Sequence, residues 1–356
     1  MNKKCLFTGG GSSGHVSVNL ALIPIFIENG WDIYYIGSYS GIERRLISQN
    51  KDVQYFSIYT GKLRRYFSWQ NFFDVFRVVA GVFQAFFIIK RLKPAVIFSK
   101  GGFVSFPVVI GGWLNGIPLV MHESDLSPGL ANKLSMPFVT KILTTFEETK
   151  QYISSNKVQC VGPIIREFLR QGSADEGRAY CGFTKEKPIL LIMGGSLGAE
   201  SINLAVRANL DQLLDCFQIV HLCGRGQADA SINVSGYCQF EYIDKELPDV
   251  LAMCDMVVSR AGSNAIFEFL TLRKPMVLIP LPSGSSRGDQ IMNAQAFKKK
   301  GYCEVVPNSD LEIKNHLADV VISTYLKRDF YLRSMSLADT GNSARDIVSI
   351  ISGASK

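Results

Sequence analysis

The chain has 356 residues, 47% of them hydrophobic and 19% charged, and 38 Lys and Arg against 31 Asp and Glu leave it at +7. That length exceeds one ordinary core and suits two domains, and the apolar content argues against disorder. The mild basic excess allows an anionic partner, while eight scattered cysteines without a C-x-x-C pair argue against a zinc site or a disulfide framework.

In chain order, "MNKK" leads into an apolar run too short for a secretory leader. "CLFT" predicts a first strand, followed by the glycines of "GGGSSG" and by "VSVNLALIPIFIENG", with helical spacing and a terminal glycine. "DIYYIG" predicts a second strand, and helices follow near Gly41–Gln49 and over 69–92. Within the latter, Val78–Ile89 is a nearly unbroken apolar stretch, but only of twelve residues between Arg77 and Lys90. About twenty would be needed to span a bilayer, so it does not span. The strand "AVIFS", the loop "KGGFVSFP", a helix and the strand "PLVMH" complete the first half.

"CVGPIIREF" (160–168) reads as a junction. From Pro188 the alternation restarts with "ILLIM", "GGSLGA", a helix, "QIVHLC", "EYI", "MVVS", a helix and "PMVLIPLP". "TGNSARDIVSIISG" predicts a last amphipathic helix that suits either half. Short apolar strands alternating with helices predict parallel sheets covered on both faces.

One phrase is written twice. "GGSSGHVSVNLA" from Gly10 and "GGSLGAESINLA" from Gly194 share eight of twelve positions at an offset of 184 residues. Each copy is the first strand–loop–helix corner of its half, which predicts two similarly wound α/β domains facing each other, with ligands at the carboxyl ends of the strands. Glycines at such corners let backbone N–H groups approach an anion beside a helix N-terminus.

"GGGSSG" satisfies the G-x-G-x-x-G spacing of a dinucleotide fold, but the second strand ends in Gly37 and Ser38 and lacks the carboxylate that would hold a ribose. Neither copy ends in G-K-[ST], which excludes a P-loop. A third loop, "SRAGSNAIFE", sets Glu268 six residues after Gly262, where a carboxylate can accept from the two hydroxyls of a ribose. In "GSSRGDQIMNA", Asp289 or Gln290 shares a helical face with Asn293, a polar group suited to a sugar.

The ordered set "GGSSGH", "KGGFVSFP", "HESDLSPGLANK", "GPIIRE", "GGSLGA", "SRAGSNAIFE" and "DQIMNA" resembles the MurG family of glycosyltransferases. These membrane-associated enzymes add GlcNAc from UDP-GlcNAc to lipid I, the undecaprenyl-diphosphate-MurNAc-peptide, to form lipid II of peptidoglycan. The resemblance runs from Gly9 to Asn293. It implies a GT-B fold of two Rossmann-like domains across a cleft. The acceptor and membrane domain would span 1–162 and the UDP-GlcNAc domain 163–339, with the helix of about 340–356 returning to the first. It also implies that Glu268 holds the uridine ribose and that Ser263 and Asn264 receive the diphosphate, with Arg260 and Ser196 close by. Ile243 would read the uracil edge with Tyr242 beside the ring, Gln290 and Asn293 would contact GlcNAc hydroxyls, and Arg166 would stand near the donor. Ser12, Ser13 and Gly14 form the acceptor-side corner. This chain has Ser12 and Ser13 where the family often has Thr-Gly, Phe103 for tyrosine, Ser124 and Asp125 for Gln-Asn, and Asp289 and Gln290 for Gln-Gln.

Transfer from a UDP-sugar needs a base at the attacking hydroxyl and positive potential at the leaving diphosphate. His15 stands in the first copy of the phrase where the second has Ala199, which makes it a candidate base, with Glu123 the competing one. His221 lies on a strand and reads as structural. There is no D-x-D, so neither a metal held by carboxylates nor another cofactor is indicated. The rivals are a UDP-GlcNAc 2-epimerase and an inactive lipid-binding scaffold of the wall-synthesis machinery, whose proteins are further partners. "GKLRRYFSWQNFFDVF" (61–76) mixes basic and aromatic residues, and with a lipid-linked acceptor it predicts a peripheral face on anionic lipid at the cytoplasmic side of the membrane. No basic stripe suggests nucleic acid.

Overall fold

The computed structural model describes residues 3–61, 69–195, 198–284, 287–338 and 342–355, with the side chains of 69–73 outside that set. The chain divides into two compact units, Met1–Arg166 with Gly341–Lys356, and Glu167–Thr340.

The first unit holds a parallel sheet of β1 (Lys4–Thr8), β2 (Asp32–Ser38), β3 (Val53–Ile58), β4 (Val96–Ser99), β5 (Leu119–Glu123), β6 (Lys141–Thr144) and β7 (Val158–Cys160). Their spatial order is β3-β2-β1-β4-β5-β6-β7. In β1, Cys5 and Phe7 join one core with Phe26 and Ile23, while Leu6 joins the opposite core with Ile36 and Met121. A strand buried on both faces writes a continuous apolar run, which is why "CLFT" was legible.

The second unit holds β8 (Ile189–Met193), β9 (Gln218–Leu222), β10 (Tyr237–Phe240), β11 (Met256–Ser259), β12 (Met276–Leu278) and β13 (Cys303–Val305). Their order is β10-β9-β8-β11-β12-β13, again parallel throughout. The predicted strand "EYI" is corrected. Pairing of β10 with β9 ends at Phe240 opposite Leu222, and β9 then leaves the sheet toward Gly224 (φ +93°), so 241–243 has no neighbour to pair with.

The order reverses between β1 and β4 in one unit and between β8 and β11 in the other. The two copies of the repeated phrase leave β1 and β8, and "SKGGF" and "SRAGS" leave β4 and β11. All four corners therefore lie at a switch point, where open α/β sheets take their ligands.

The Ala344–Gly353 helix packs Ile347, Val348 and Ile351 into the core of the first unit with Ile23 and Phe26. Ser343 and Asp346 form a capping box at its start, and Asn342 N–H donates to Val161 O at 3.0 Å. The last helix is thus part of the first unit's core, although more than 180 residues separate it from that unit's last strand, β7, in sequence.

Candidate functional site

In the first unit, Gly14 opens the Gly14–Glu28 helix and His15 is its second residue. The Nδ1 of His15 is 2.9 Å from the Ser12 hydroxyl. Ser13 is the N-cap, in helical conformation and without a side-chain cap bond. The corner is braced from below. Asn19, fully buried, donates to Thr8 O at 3.3 Å and to the Tyr35 hydroxyl at 3.0 Å, and that hydroxyl donates to Gly9 O at 2.6 Å. From the side, Gly10 N–H donates to Gly101 O at 3.3 Å. Gly102 (φ +80°) lies so close that a Cβ there would stand 2.2 Å from Gly10 O and 3.0 Å from His15 Nδ1. Phe103 lays its ring over Gly11, where a Cβ would come within 2.4 Å of it. Its hydroxyl-free edge is thus part of the corner's packing.

The loop after β5 is built around Glu123, which is buried. Its Oε1 accepts from Asp125 N–H at 3.0 Å, and its Oε2 accepts from Gly129 N–H at 3.0 Å and Asn132 Nδ2 at 2.8 Å. Burial first and the Asp125 charge second push this carboxyl above its usual range, against Lys100 and the amide donors. Lys100, 1% exposed, donates to the Ser124 hydroxyl at 2.9 Å. His122 meets Thr145 Oγ1 through Nε2 at 3.2 Å, and burial, then Lys100, hold it well below the ordinary histidine range. Both oxygens of Glu123 are engaged in shaping the turn that carries Ser124 and Asp125.

In the second unit, Ser196 lies outside the described residues. Asn203, the counterpart of Asn19 at the same 184-residue offset, is also buried. It donates to Cys223 O at 2.8 Å, and its Oδ1 meets His221 Nε2 at 3.0 Å. His221 Nδ1 meets the Tyr237 hydroxyl at 2.8 Å, so both ring nitrogens serve the scaffold. Burial, aided by Arg207, pushes this ring down to about 3.

Gly262 is the extended N-cap of the Ser263–Thr271 helix, so Ser263 and Asn264 lie in its first turn, whose N–H groups have no partner within the helix. Glu268, buried, stands five residues along, about 7.5 Å up the axis at 1.5 Å per residue. Arg260 is a brace: it donates to Ile279 O at 3.2 Å, Pro280 O at 3.4 Å, Asn308 Oδ1 at 2.7 Å and Ser201 Oγ at 2.9 Å. Burial lowers its pKa. From the Asp289–Lys299 helix, fully buried Asn293 donates to Ala261 O at 3.2 Å, and Gln290 Oε1 accepts from Leu281 N–H at 3.1 Å. Asp289 pairs with Arg287 at 3.3 Å.

Arg260, Ser263, Gln290 and Asn293 therefore converge on two stretches of chain, 260–263 and 279–281. Ile243 is buried and Tyr242 exposed in the chain leaving β10, three strand positions from β11, about 14 Å at ~4.8 Å per strand. Arg166 is the last residue of the first unit's main segment and is half-buried. The residues that the sequence reading missed are Asn19, Asn203, Lys100 and Asn132. Only the two asparagines had a signal, an amide kept in both copies of the phrase.

Residues 62–68 of the basic–aromatic stretch lie outside the described set. The Trp69–Leu92 helix that follows turns Phe76, Val79, Phe83 and Phe87 outward at spacings of three and four, with Phe87 64% exposed. Ala85 and Ile89 face inward, and Gly81 sits where a Cβ would strike Tyr59 O at 2.0 Å. Trp113 and Leu114, ending the Ser105–Leu114 helix, are exposed as well. Among the described residues no helix is long and apolar enough to cross a membrane.

Two doubly wound units with glycine corners at their switch points define the GT-B class, and solved structures sharing the fold are glycosyltransferases. MurG of Acinetobacter baumannii matches with a TM-score of 0.73 at 21% identity, over 99% of this chain and 100% of its own. The kitacinnamycin glycosyltransferase matches at 0.74 and 15% identity, over the whole of both chains. The family 28 glycosyltransferase N-terminal domain matches residues 5–144 and the family 28 C-terminal domain residues 189–351. The UDP-N-acetylglucosamine–N-acetylmuramyl-(pentapeptide) pyrophosphoryl-undecaprenol N-acetylglucosamine transferase of Geobacillus kaustophilus is 54% identical over 99% of this chain and 98% of its own length. The enzyme of that name from Oceanobacillus iheyensis is 51% identical over 92% and 93%. The chain belongs to glycosyltransferase family 28 and, within it, to the MurG family.

Proposed function

We propose that this chain transfers GlcNAc from UDP-GlcNAc to the 4-hydroxyl of MurNAc in lipid I, with inversion, to form lipid II. The observation that carries the reading is the 54% identity to the Geobacillus transferase along nearly the whole of both chains. The second unit takes the donor: Glu268 accepts from the ribose hydroxyls, and the first turn at Ser263 and Asn264, with Ser196, receives the diphosphate. Main-chain groups of Ile243 read the uracil beside Tyr242. Gln290, its carbonyl already engaged, offers its amide NH2 to the sugar, and Asn293 and Arg260 hold the corner in place. Arg166 serves the donor side. The first unit takes the acceptor on Ser12, Ser13 and Gly14.

In the transfer, O4 of the acceptor attacks the anomeric carbon, the bond to the diphosphate breaks, and UDP leaves with the electron pair. His15 receives the hydroxyl proton. Its ring then carries a proton on Nδ1, donated to Ser12 Oγ, and uses Nε2 as the base. Glu123 is set aside as the base because three donors already hold its oxygens. Peptide amides at helix starts stabilise the departing diphosphate.

The first test is transfer of radiolabelled GlcNAc from UDP-GlcNAc to a short-chain lipid I analogue. The wild type transfers, and Glu268→Ala loses both transfer and UDP-GlcNAc binding, by about 100-fold or more in kcat/KM, the scale of a lost buried charged contact. UDP-GlcNAc binding without transfer to this acceptor would sink the assignment.

The same reading places Phe76, Val79, Phe83 and Phe87 against the bilayer, with basic residues of 61–76 on anionic headgroups. Phe83→Glu with Phe87→Glu should abolish co-sedimentation with vesicles of anionic phospholipid and leave UDP-GlcNAc binding intact. Unchanged sedimentation would count against this face.

A further inference from the structure

One amide of the first glycine corner, Gly11 N–H, donates to a carboxylate that comes from inside the domain. Glu43, in the first turn of the Ile42–Ile47 helix, is fully buried. Its Oε1 accepts from Ser38 N–H at 3.1 Å and from the Ser38 hydroxyl, and its Oε2 accepts from Gly11 N–H at 3.2 Å.

Three glycines make room for it. A Cβ at Gly10 would stand 2.5 Å from the Glu43 Cδ, one at Gly41 2.1 Å from Oε1, and one at Gly37 3.0 Å from Cγ as well as 2.2 Å from the Tyr55 hydroxyl. None of the three has the left-handed backbone that favours glycine. What excludes a side chain at Gly10 and Gly41 is the carboxylate, and at Gly37 the carboxylate together with the tyrosine.

The amide that Glu43 holds is one residue before Ser12, whose hydroxyl meets His15 Nδ1 at 2.9 Å. At the same 184-residue offset the second unit has Gln227, a neutral side chain that accepts from Asn203 at 2.8 Å. The internal carboxylate thus accompanies the copy of the phrase that has the histidine.

We propose that Glu43 is a positioning residue of the transfer reaction, fixing the Gly11–Ser12 backbone and, through Ser12 Oγ, the His15 ring. A carboxylate accepting from an amide makes a stronger, more directional bond than a neutral group would. A side chain held off its productive place by about 1 Å can cost two orders of magnitude in rate. Glu43 touches no reacting atom in this role; it acts through two neighbours.

The inference rests on the reading of His15 as the base, so the experiment carries both. GlcNAc transfer to the short-chain lipid I analogue is measured for the wild type, Glu43→Gln, His15→Ala and the double variant, with the KM for UDP-GlcNAc and the thermal midpoint of each. Glu43→Gln should lower kcat about 10- to 100-fold, leave the KM for UDP-GlcNAc within about twofold, and add nothing to His15→Ala in the double variant. Gly41→Ala keeps the charge and places a methyl against Oε1; its backbone, at φ −76°, accepts alanine. It should show the same loss in kcat alone, and it stands in if Glu43→Gln does not fold. Multiplicative losses in the double variant, wild-type kcat in both Glu43→Gln and Gly41→Ala, or an effect on the donor KM alone would overturn the positioning role. Near-normal turnover of His15→Ala would instead remove the His15 reading, and this role with it. No transfer by the wild type would remove the function itself.

Discussion

The two copies of the glycine phrase occupy the same corner of two similarly wound sheets, yet they are finished differently. In the first, Glu43 and the Lys100–Phe103 loop close over the glycines, and a histidine stands at the helix start. In the second, alanine replaces that histidine, and Asn203 braces Cys223 and His221 while Arg260 braces Ser201 and the chain after β12. The cation that follows the neighbouring strand is present in both, Lys100 after β4 and Arg260 after β11, and in both it reaches into the next strand's loop. The lesson is that one corner geometry accepts different surroundings, according to what fills the space around its glycines. In the proposed reaction the first corner would carry the base and the second would face the leaving diphosphate.

The largest effect should come from the residue that differs most. His15→Ala should lower kcat by about 10²- to 10⁴-fold, the usual range for a lost general base, with UDP-GlcNAc binding by the second unit unchanged. Titration calorimetry with UDP-GlcNAc beside the transfer assay measures both. Near-normal turnover would end the division of labour between the copies.

The next effect concerns what the copies share. Asn203 engages a carbonyl, a histidine and Gln227, whereas Asn19 makes two bonds and its Oδ1 has no partner among the described residues. Asn203→Ala should cost roughly 2–3 kcal/mol in urea unfolding and Asn19→Ala roughly 1–2, since each strands buried polar groups. Equal losses would show that the two braces are equivalent after all.

The smallest effect is acid sensitivity. A histidine kept neutral by burial binds its proton later than the unfolded chain does, so its contribution to stability is complete above pH 6.5 and is lost as pH falls toward the folded value. For His221, pushed down to about 3, that amounts to roughly 2 kcal/mol lost between pH 7 and pH 5. The first unit has the same liability in His122, but Glu123 works the other way. Its raised pKa makes the folded state bind a proton before the unfolded one, so acidification stabilises it. Hydrogen exchange resolved by unit should therefore show the second unit losing more protection at pH 5 than the first. A larger loss in the first unit would reverse the argument.

Much of this was legible in the residues. Apolar runs such as "ILLIM" and "MVVS" are what parallel strands covered on both faces must contain, and a phrase repeated 184 residues apart announces two windings of one kind. The ordered motifs placed Glu268, Gln290 and Asn293 on helices entering from glycine corners, and those helices are where the structure has them. What the sequence could not disclose is the partner of each polar side chain. Glu123 stood as a candidate base without its three donors Asp125, Gly129 and Asn132 being visible, Arg260 was expected near the diphosphate without its four acceptors being visible, and Glu43 drew no attention. Each of these groups is settled by strand order and loop closure, because a polar atom removed from water must find a partner in space, and β1 lies between β2 and β4 only once the sheet has formed. Periodicity records which face of an element is buried; the neighbours that burial supplies are a property of the assembled fold.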